Sequence, residues 1–105
     1  MTGPKGAQQP NGKYRVTFEY NAGKDVKEVY LAGEFNDWKP KAIRMDGPDE
    51  NGLFTTQLEL AEGIYQYKYV IEGEHWEPDP KNVYRVGKYN NSVLSVGERK
   101  SGPAK

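Results

Sequence analysis

Residues 30–38 of the chain read Tyr-Leu-Ala-Gly-Glu-Phe-Asn-Asp-Trp. The apolar start of this stretch is typical of a strand, and Gly33 with the following Asn-Asp pair predicts that the strand ends in a loop. We expect Phe35 to turn back into a core and Trp38 to lie near a loop surface. Because an indole combines a wide apolar face with one N–H donor, Trp38 is a candidate contact residue.

Alternation of apolar and polar residues on both sides of this stretch predicts more strands. In residues 64–71, the tyrosines at 65, 67 and 69 are expected to face inward, which leaves Gln66 and Lys68 on the opposite face. The predicted strands cover residues 14–20, 26–32, 43–45, 53–60, 64–71, 75–76, 83–85 and 92–96. Turn residues separate them and no helical spacing recurs, so the pattern predicts an all-β, immunoglobulin-like sandwich of about seven to eight antiparallel strands.

Length and composition fit one domain with one modest core, since the chain has 105 residues. Residues 1–12 are rich in Gly, Pro, Gln and Asn and are expected to form a flexible N-terminal segment. The sandwich is then expected to occupy residues 13–97. The polar residues 98–105 are expected to form a flexible C-terminal tail.

Several classes of function fit the composition poorly. Fifteen basic residues balance fifteen acidic ones, which argues against nucleic acid as the main partner. The chain contains one histidine and no cysteine, so we expect no metal site and no cofactor. No apolar run is long enough to span a membrane, and the N-terminus lacks the apolar segment of a signal peptide. We therefore expect a cytoplasmic protein.

Four positions are chemically conspicuous: Trp38, Lys68, Trp76 and the Asn90-Asn91 pair. Sugars present flat C–H patches and a rim of hydroxyls, so a sugar site needs aromatic planes together with fixed donors and acceptors. These residue types would suffice if the fold brings them together. Each one alone also fits an ordinary role, as a core or interface tryptophan, a solvated lysine or a turn.

Four motifs in the same order resemble the family 48 carbohydrate-binding modules. They read EVYLAGEFNDW, LAEGIYQYKYVIEG, HWEPDP and VGKYNNSVLSV, and the resemblance covers residues 14–96. The family includes the glycogen-binding domain of the AMP-activated kinase β subunit and the early-set domains that precede isoamylase, pullulanase and branching-enzyme barrels. The resemblance implies an early-set sandwich that binds α-1,4-linked glucan, such as glycogen, starch or maltodextrin, without catalysis.

The resemblance also implies which residues touch the sugar. The family's contact positions fall here on Trp38, Lys68, Trp76 and Asn90. A leucine that enters the glucan ring in kinase-type members corresponds to Val86, which is shorter and β-branched. A threonine that assists in those members corresponds to Lys88.

Two other functions remain open at this point. A glycosidase needs two carboxylates at a set separation beside a cleft, and no acidic residue here falls in such a motif. An early-set domain that binds no glucan could instead pack on a partner, using its tryptophans as anchors. Candidate partners on either interpretation are a glucan-processing enzyme or a kinase complex. The polar groups of Lys68 and Asn90 favour glucan over a purely apolar contact.

Overall fold

The computed structural model describes residues 5–97, which form two antiparallel sheets on either side of one core. The strands are β1 (Lys5–Gln8), β2 (Tyr14–Asn21), β3 (Val29–Gly33), β4 (Leu53–Leu60), β5 (Gly63–Ile71), β6 (His75–Glu77), β7 (Arg85–Val86) and β8 (Asn91–Val96). A 3₁₀ turn, Glu34–Asn36, follows β3. This architecture confirms the predicted all-β, immunoglobulin-like sandwich.

The first sheet has the order β1-β2-β4. β2 and β4 pair over their whole length, from Tyr14 opposite Leu60 to Asn21 opposite Leu53. β1 lies inside the segment that the sequence predicts to be flexible, and it pairs with residues 14–17 of β2. Its Lys-Gly-Ala-Gln sequence has no alternating pattern, because an edge strand can be held by its backbone hydrogen bonds alone. Residues 98–105, the predicted tail, lie outside the described residues.

The second sheet is organised around β5, which contacts three other strands. Residues 67–71 of β5 pair with β3 on one edge, and residues 63–67 pair with β8 on the other. The short β6 pairs with residues 69–71, and β7 adds to the far side of β8. Side chains of β5 therefore lie at the centre of both faces of this sheet.

The core lies between the two sheets and is rich in aromatic rings. Phe18 packs edge-on against Tyr67 at 5.4 Å between ring centroids, and Tyr67 packs edge-on against Tyr69 at 5.9 Å. Phe35 is half-buried beside Phe18, at 5.9 Å, as its place after Gly33 predicts. Such edge-to-face contacts stabilise a core beyond the apolar area that they bury.

Residues 43–46 differ from the predicted short strand. The segment forms one bridge to each sheet, from Arg44 to Tyr30 and from Asp46 to Thr55. Between these bridges Met45 is buried. The apolar alternation of Ile43 and Met45 is therefore real, but the segment crosses from one sheet to the other instead of extending along either.

Candidate functional site

The outer face of β5 forms the floor of the candidate site. Because successive side chains of a strand point to opposite faces, the buried rings of Tyr67 and Tyr69 place Gln66 and Lys68 on the outside. Gln66 accepts a hydrogen bond from the Asn91 side-chain amide at 3.0 Å. The Lys68 ammonium donates to the backbone carbonyl of Tyr89. Both contacts tie the floor to the turn that leads into β8.

Trp38 is positioned by a tightly constrained loop. The Asn36 side chain accepts from the Gly33 N–H at 3.0 Å and donates to the Leu31 carbonyl at 3.3 Å. The Trp38 N–H then donates to the Gly33 carbonyl at 2.9 Å, which closes the loop. Asp37 and Trp38 both adopt left-handed backbone conformations, with φ of 59° and 60°. Non-glycine residues adopt this region at a cost, so two in succession mark a loop whose shape is specified by its surroundings.

Trp38 and Trp76 approach each other although they come from different parts of the chain. Trp38 is half-buried and packs on a small apolar cluster of Tyr30, Ala32 and Val70 on the outer face of the sheet. Trp76 lies on β6 directly opposite Val70 and is 40% exposed. The two ring centroids are 6.4 Å apart, and the ring planes are inclined at 44°.

These side chains enclose an open groove of about 560 Å³ on the outer face of the second sheet. Its lining consists of Trp38, Gln66, Lys68, Trp76, Tyr89 and Asn91. We call this space the groove and these six residues the groove residues. Its walls are aromatic, its floor carries an amide and an ammonium group, and Asn91 adds a second amide. It can therefore offer stacking surfaces and hydrogen-bond donors and acceptors at the same time.

A buried polar cluster supports the groove from the inner face of β5. The Tyr67 hydroxyl donates to Asp79 Oδ2 at 2.6 Å, and the Asp79 N–H donates to Ser92 Oγ at 2.8 Å. The Asn82 side chain donates to the Tyr67 oxygen at 3.0 Å and to the Val93 carbonyl at 2.8 Å. The cluster thus fastens the segment after β6 to β5 and β8. Buried polar groups of this kind specify one arrangement because each lost partner is costly.

Burial also changes the acidity of Tyr67 and of its neighbour Tyr69, whose hydroxyl lies 3.4 Å from Asp79 Oδ2. Desolvation raises the pKa of Tyr67 far above its ordinary value, and the hydrogen bond to Asp79 adds to the rise. Desolvation likewise raises the pKa of Tyr69 well above its ordinary value, with the negative charge of Asp79 as the next cause. Both hydroxyls therefore stay protonated in the folded domain and act as donors.

The structure brings together three of the residues that the sequence singles out: Trp38, Lys68 and Trp76. Asn90 is exposed in a left-handed turn, with φ of 57°, and does not line the groove, whereas its neighbour Asn91 does. Val86 and Lys88 are exposed beside the groove without lining it. The Lys88 ammonium lies 5.4 Å from the centroid of the Tyr89 ring.

Two groove residues, Gln66 and Tyr89, were not among the candidates derived from the sequence, and Asn91 was noted there only as the second member of the Asn90-Asn91 pair. Gln66 could have been found, because it lies two positions from Lys68 on the same strand and so shares its face. Asn91 and Tyr89 depend on the conformation of the turn that connects Gly87 to β8. In that turn the Asn90 N–H donates to the Gly87 carbonyl at 3.1 Å.

Residues 5–97 contain neither a candidate metal site nor a candidate membrane-spanning helix. Among them, no group of three or more His, Cys, Asp or Glu side chains is placed to hold a metal ion. No helix in the same range is long and apolar enough to cross a membrane.

Comparisons with known proteins identify relatives that each contain a segment similar to this chain. The chain is 37% identical over 90 residues to the chloroplastic phosphoglucan phosphatase LSF1 of Arabidopsis thaliana, covering 81% of this chain and 14% of that protein. It is 34% identical over 70 residues to 5'-AMP-activated protein kinase subunit beta-1 of Sus scrofa, covering 64% of this chain and 53% of the subunit. It is 34% identical over 72 residues to chloroplastic PTST homolog 2 of Arabidopsis thaliana, covering 68% of this chain and 13% of that protein.

Each of these alignments spans less than two thirds of the relative. One solved structure with a similar fold is the ferric enterobactin esterase of Salmonella typhimurium. Its superposition has a TM-score of 0.73 and covers 90% of this chain and 34% of the esterase chain. At 15% identity this likeness shows the shared fold alone.

The family match settles which group of domains the chain falls in. The family described as the glycogen recognition site of AMP-activated protein kinase matches residues 14–100, which is most of the chain. This match confirms the resemblance drawn from the four sequence motifs. The chain belongs to the glycogen-recognition family of AMP-activated protein kinase.

Proposed function

We propose that this domain binds α-1,4-linked glucan in the groove and has no catalytic activity of its own. The observation that carries the proposal is the pair of indoles, Trp38 and Trp76, inclined toward each other above a polar floor. Flat apolar sugar faces would stack on the indoles. The Lys68 ammonium would donate hydrogen bonds to the hydroxyls at the rim of the same sugars, and the Gln66 amide would donate and accept them.

The family description and the names of the relatives support glycogen, starch or maltodextrin as the ligand. The kinase subunit and the phosphoglucan phosphatase each contain a segment similar to this chain. We infer that this chain shares with those segments the task of bringing a protein to glucan. A glucan-processing enzyme or a kinase complex is accordingly the partner that we propose. A cytoplasmic location stays a prediction.

The chemistry of the groove supports binding over hydrolysis. None of its six lining residues carries a carboxylate. Hydrolysis of a glycosidic bond usually requires two carboxyl groups facing the scissile bond. The proposal of a non-catalytic module rests on this composition together with the family match.

The alternative of an accessory domain that binds no glucan is less favoured. On that alternative Trp38 and Trp76 would anchor a protein partner, for which an ammonium and two amides around the rings serve no evident purpose. The family match to a glycogen recognition site also weighs against it.

Electrophoresis in native gels that contain glycogen tests the proposal. The domain is expected to migrate more slowly as the glycogen concentration rises, while a protein without a glucan site keeps its mobility. Unretarded migration of the folded domain in glycogen, amylose and amylopectin gels would refute glucan binding and favour the accessory role.

A further inference from the structure

The outer face of the second sheet continues beyond the groove as a row of exposed apolar side chains. The Val93 N–H donates to the Tyr84 carbonyl at 2.9 Å, and Val93 is also paired with Gln66 of β5. Directly paired residues of antiparallel strands point to the same face. Tyr84 therefore lies on the face that carries the groove, in one row with Val93 and the groove residue Gln66.

Two other apolar residues extend this row into a patch. Ile64 precedes Gln66 by two positions on β5 and so shares its face. Val86 lies opposite the groove residue Asn91. We call Ile64, Tyr84, Val86 and Val93 the apolar strip. Ile64 is 68% exposed and Tyr84 56%, so the strip leaves a substantial apolar surface uncovered.

We propose that the apolar strip is a second contact region for the same glucan, so that a long chain runs from the tryptophan pair across Gln66 to Tyr84. This inference rests on the proposed function of the groove. Trp76 lies opposite Val70 of β5, and Tyr84 lies in line with Gln66 of the same strand. Val70 and Gln66 are four residues apart along β5. At roughly 3.3 Å per residue the two aromatic ends are about 13 Å apart along the strand. Only a chain of several sugar units can reach both.

Continuity with the groove favours a glucan over a protein as the occupant. Gln66 belongs to the groove and to the row of Tyr84, so no gap separates the two regions. Polar side chains also alternate with the apolar ones, because Ser95 lies opposite Ile64. A surface of alternating apolar and polar groups suits a chain that presents C–H faces and hydroxyls in turn.

Titration with linear maltooligosaccharides of increasing length tests the strip. For the unaltered domain, affinity is expected to go on rising with chain length after the tryptophan pair is covered. Tyr84→Ala should remove that rise, weakening the longest chains by about two- to ten-fold while short chains bind unchanged. Tyr84→Phe should keep the rise, because the ring is retained. Gln57→Ala, on the exposed face of the first sheet, serves as a matched surface control.

The outcomes separate the strip from the groove. If short chains bind and Tyr84→Ala retains the affinity of the unaltered domain for long ones, the strip is not a glucan contact and the groove stands alone. An equal loss for short and long chains would also overturn the strip. If no chain of any length binds the unaltered domain, the proposed function itself fails, and the strip as a glucan contact fails with it. Thermal unfolding of each variant confirms that the comparison is made between folded proteins.

Discussion

The centroids of the Trp38 and Trp76 indole rings lie 6.4 Å apart, with an angle of 44° between the ring planes. A flat ligand could not stack on both rings at once. Chains of α-1,4-linked glucose curve, so sugars at successive positions present their flat faces at an angle to one another. The inclination of the two rings is thus suited to a curved glucan.

The two tryptophans are expected to respond differently to truncation. Trp76→Ala should abolish retention on glycogen and cost about 1 kcal/mol or less of stability, because Trp76 is 40% exposed and its ring packs mainly on Trp38. Trp38→Ala should abolish retention too and also cost about 1–2 kcal/mol of stability, because Trp38 covers Tyr30, Ala32 and Val70. Affinity electrophoresis and urea unfolding measure the two effects. Full retention of Trp76→Ala would show that the groove is not the site.

Lys68 is expected to contribute to binding through its ammonium group. Lys68→Met keeps most of the aliphatic stem but loses all three donors and the bond to the Tyr89 carbonyl. The affinity for maltoheptaose should fall about ten-fold, as expected for hydrogen bonds to a charged group. Lys81→Met is the matched control, since the Lys81 side chain forms a surface ion pair with Glu19 at 3.5 Å and does not line the groove. Equal affinities of the two variants would contradict a role for Lys68.

The stability of the domain should fall steeply in alkaline solution. The pKa of Tyr67 and of Tyr69 is raised in the folded domain, so above about pH 10 the unfolded chain releases protons that the folded domain keeps. Below that pH the two protonated tyrosines contribute fully to the free energy of unfolding. As the pH rises above it, the free energy of unfolding falls by about 1.4 kcal/mol per pH unit for each tyrosine. Urea unfolding between pH 9 and 11.5 measures the slope. Tyr67→Phe should reduce the slope of the free energy of unfolding against pH by the amount that one tyrosine contributes. An unchanged slope would mean that Tyr67 ionises in the folded domain.

Gly33 is expected to tolerate no side chain. A Cβ there would lie 2.6 Å from the Gln66 carbonyl oxygen and 2.8 Å from the Phe35 ring. Gly33→Ala should therefore cost about 1–3 kcal/mol of stability by overpacking. At Gly63 a Cβ would come no nearer than 3.6 Å to the Tyr65 ring, so Gly63→Ala is the control and should be close to neutral. Thermal unfolding compares them, and a neutral Gly33→Ala would show that the strand has room to move.

The fold could be predicted because its strands carry a strong pattern. The alternation in residues 64–71 correctly assigned Tyr67 and Tyr69 to the core and Lys68 to the outside. β1 escaped prediction because edge pairing by the backbone leaves no mark on the side chains. The crossing of residues 43–46 from one sheet to the other was not predicted, because an alternating pattern does not indicate which sheet a residue joins.

The candidate site was predictable in part. Strand periodicity and the motifs pointed to Trp38, Lys68 and Trp76, whose contacts with a ligand stay a prediction. Asn91 lines the groove and Asn90 does not, while contact of Asn90 with a ligand stays a prediction. Asn90 lies in the left-handed turn before β8, a conformation that the sequence of the pair does not indicate. The burial of Asp79 was also hidden, since Pro-Asp-Pro is typical of an exposed break.

Tryptophan fluorescence during a titration with maltoheptaose tests glucan binding in the groove most directly. The chain has two tryptophans, and both line the groove, so the emission reports on this surface alone. Binding there predicts a saturable change in emission that Trp76→Ala loses while the domain stays folded. An emission spectrum of the folded domain that stays constant up to millimolar maltoheptaose would contradict it.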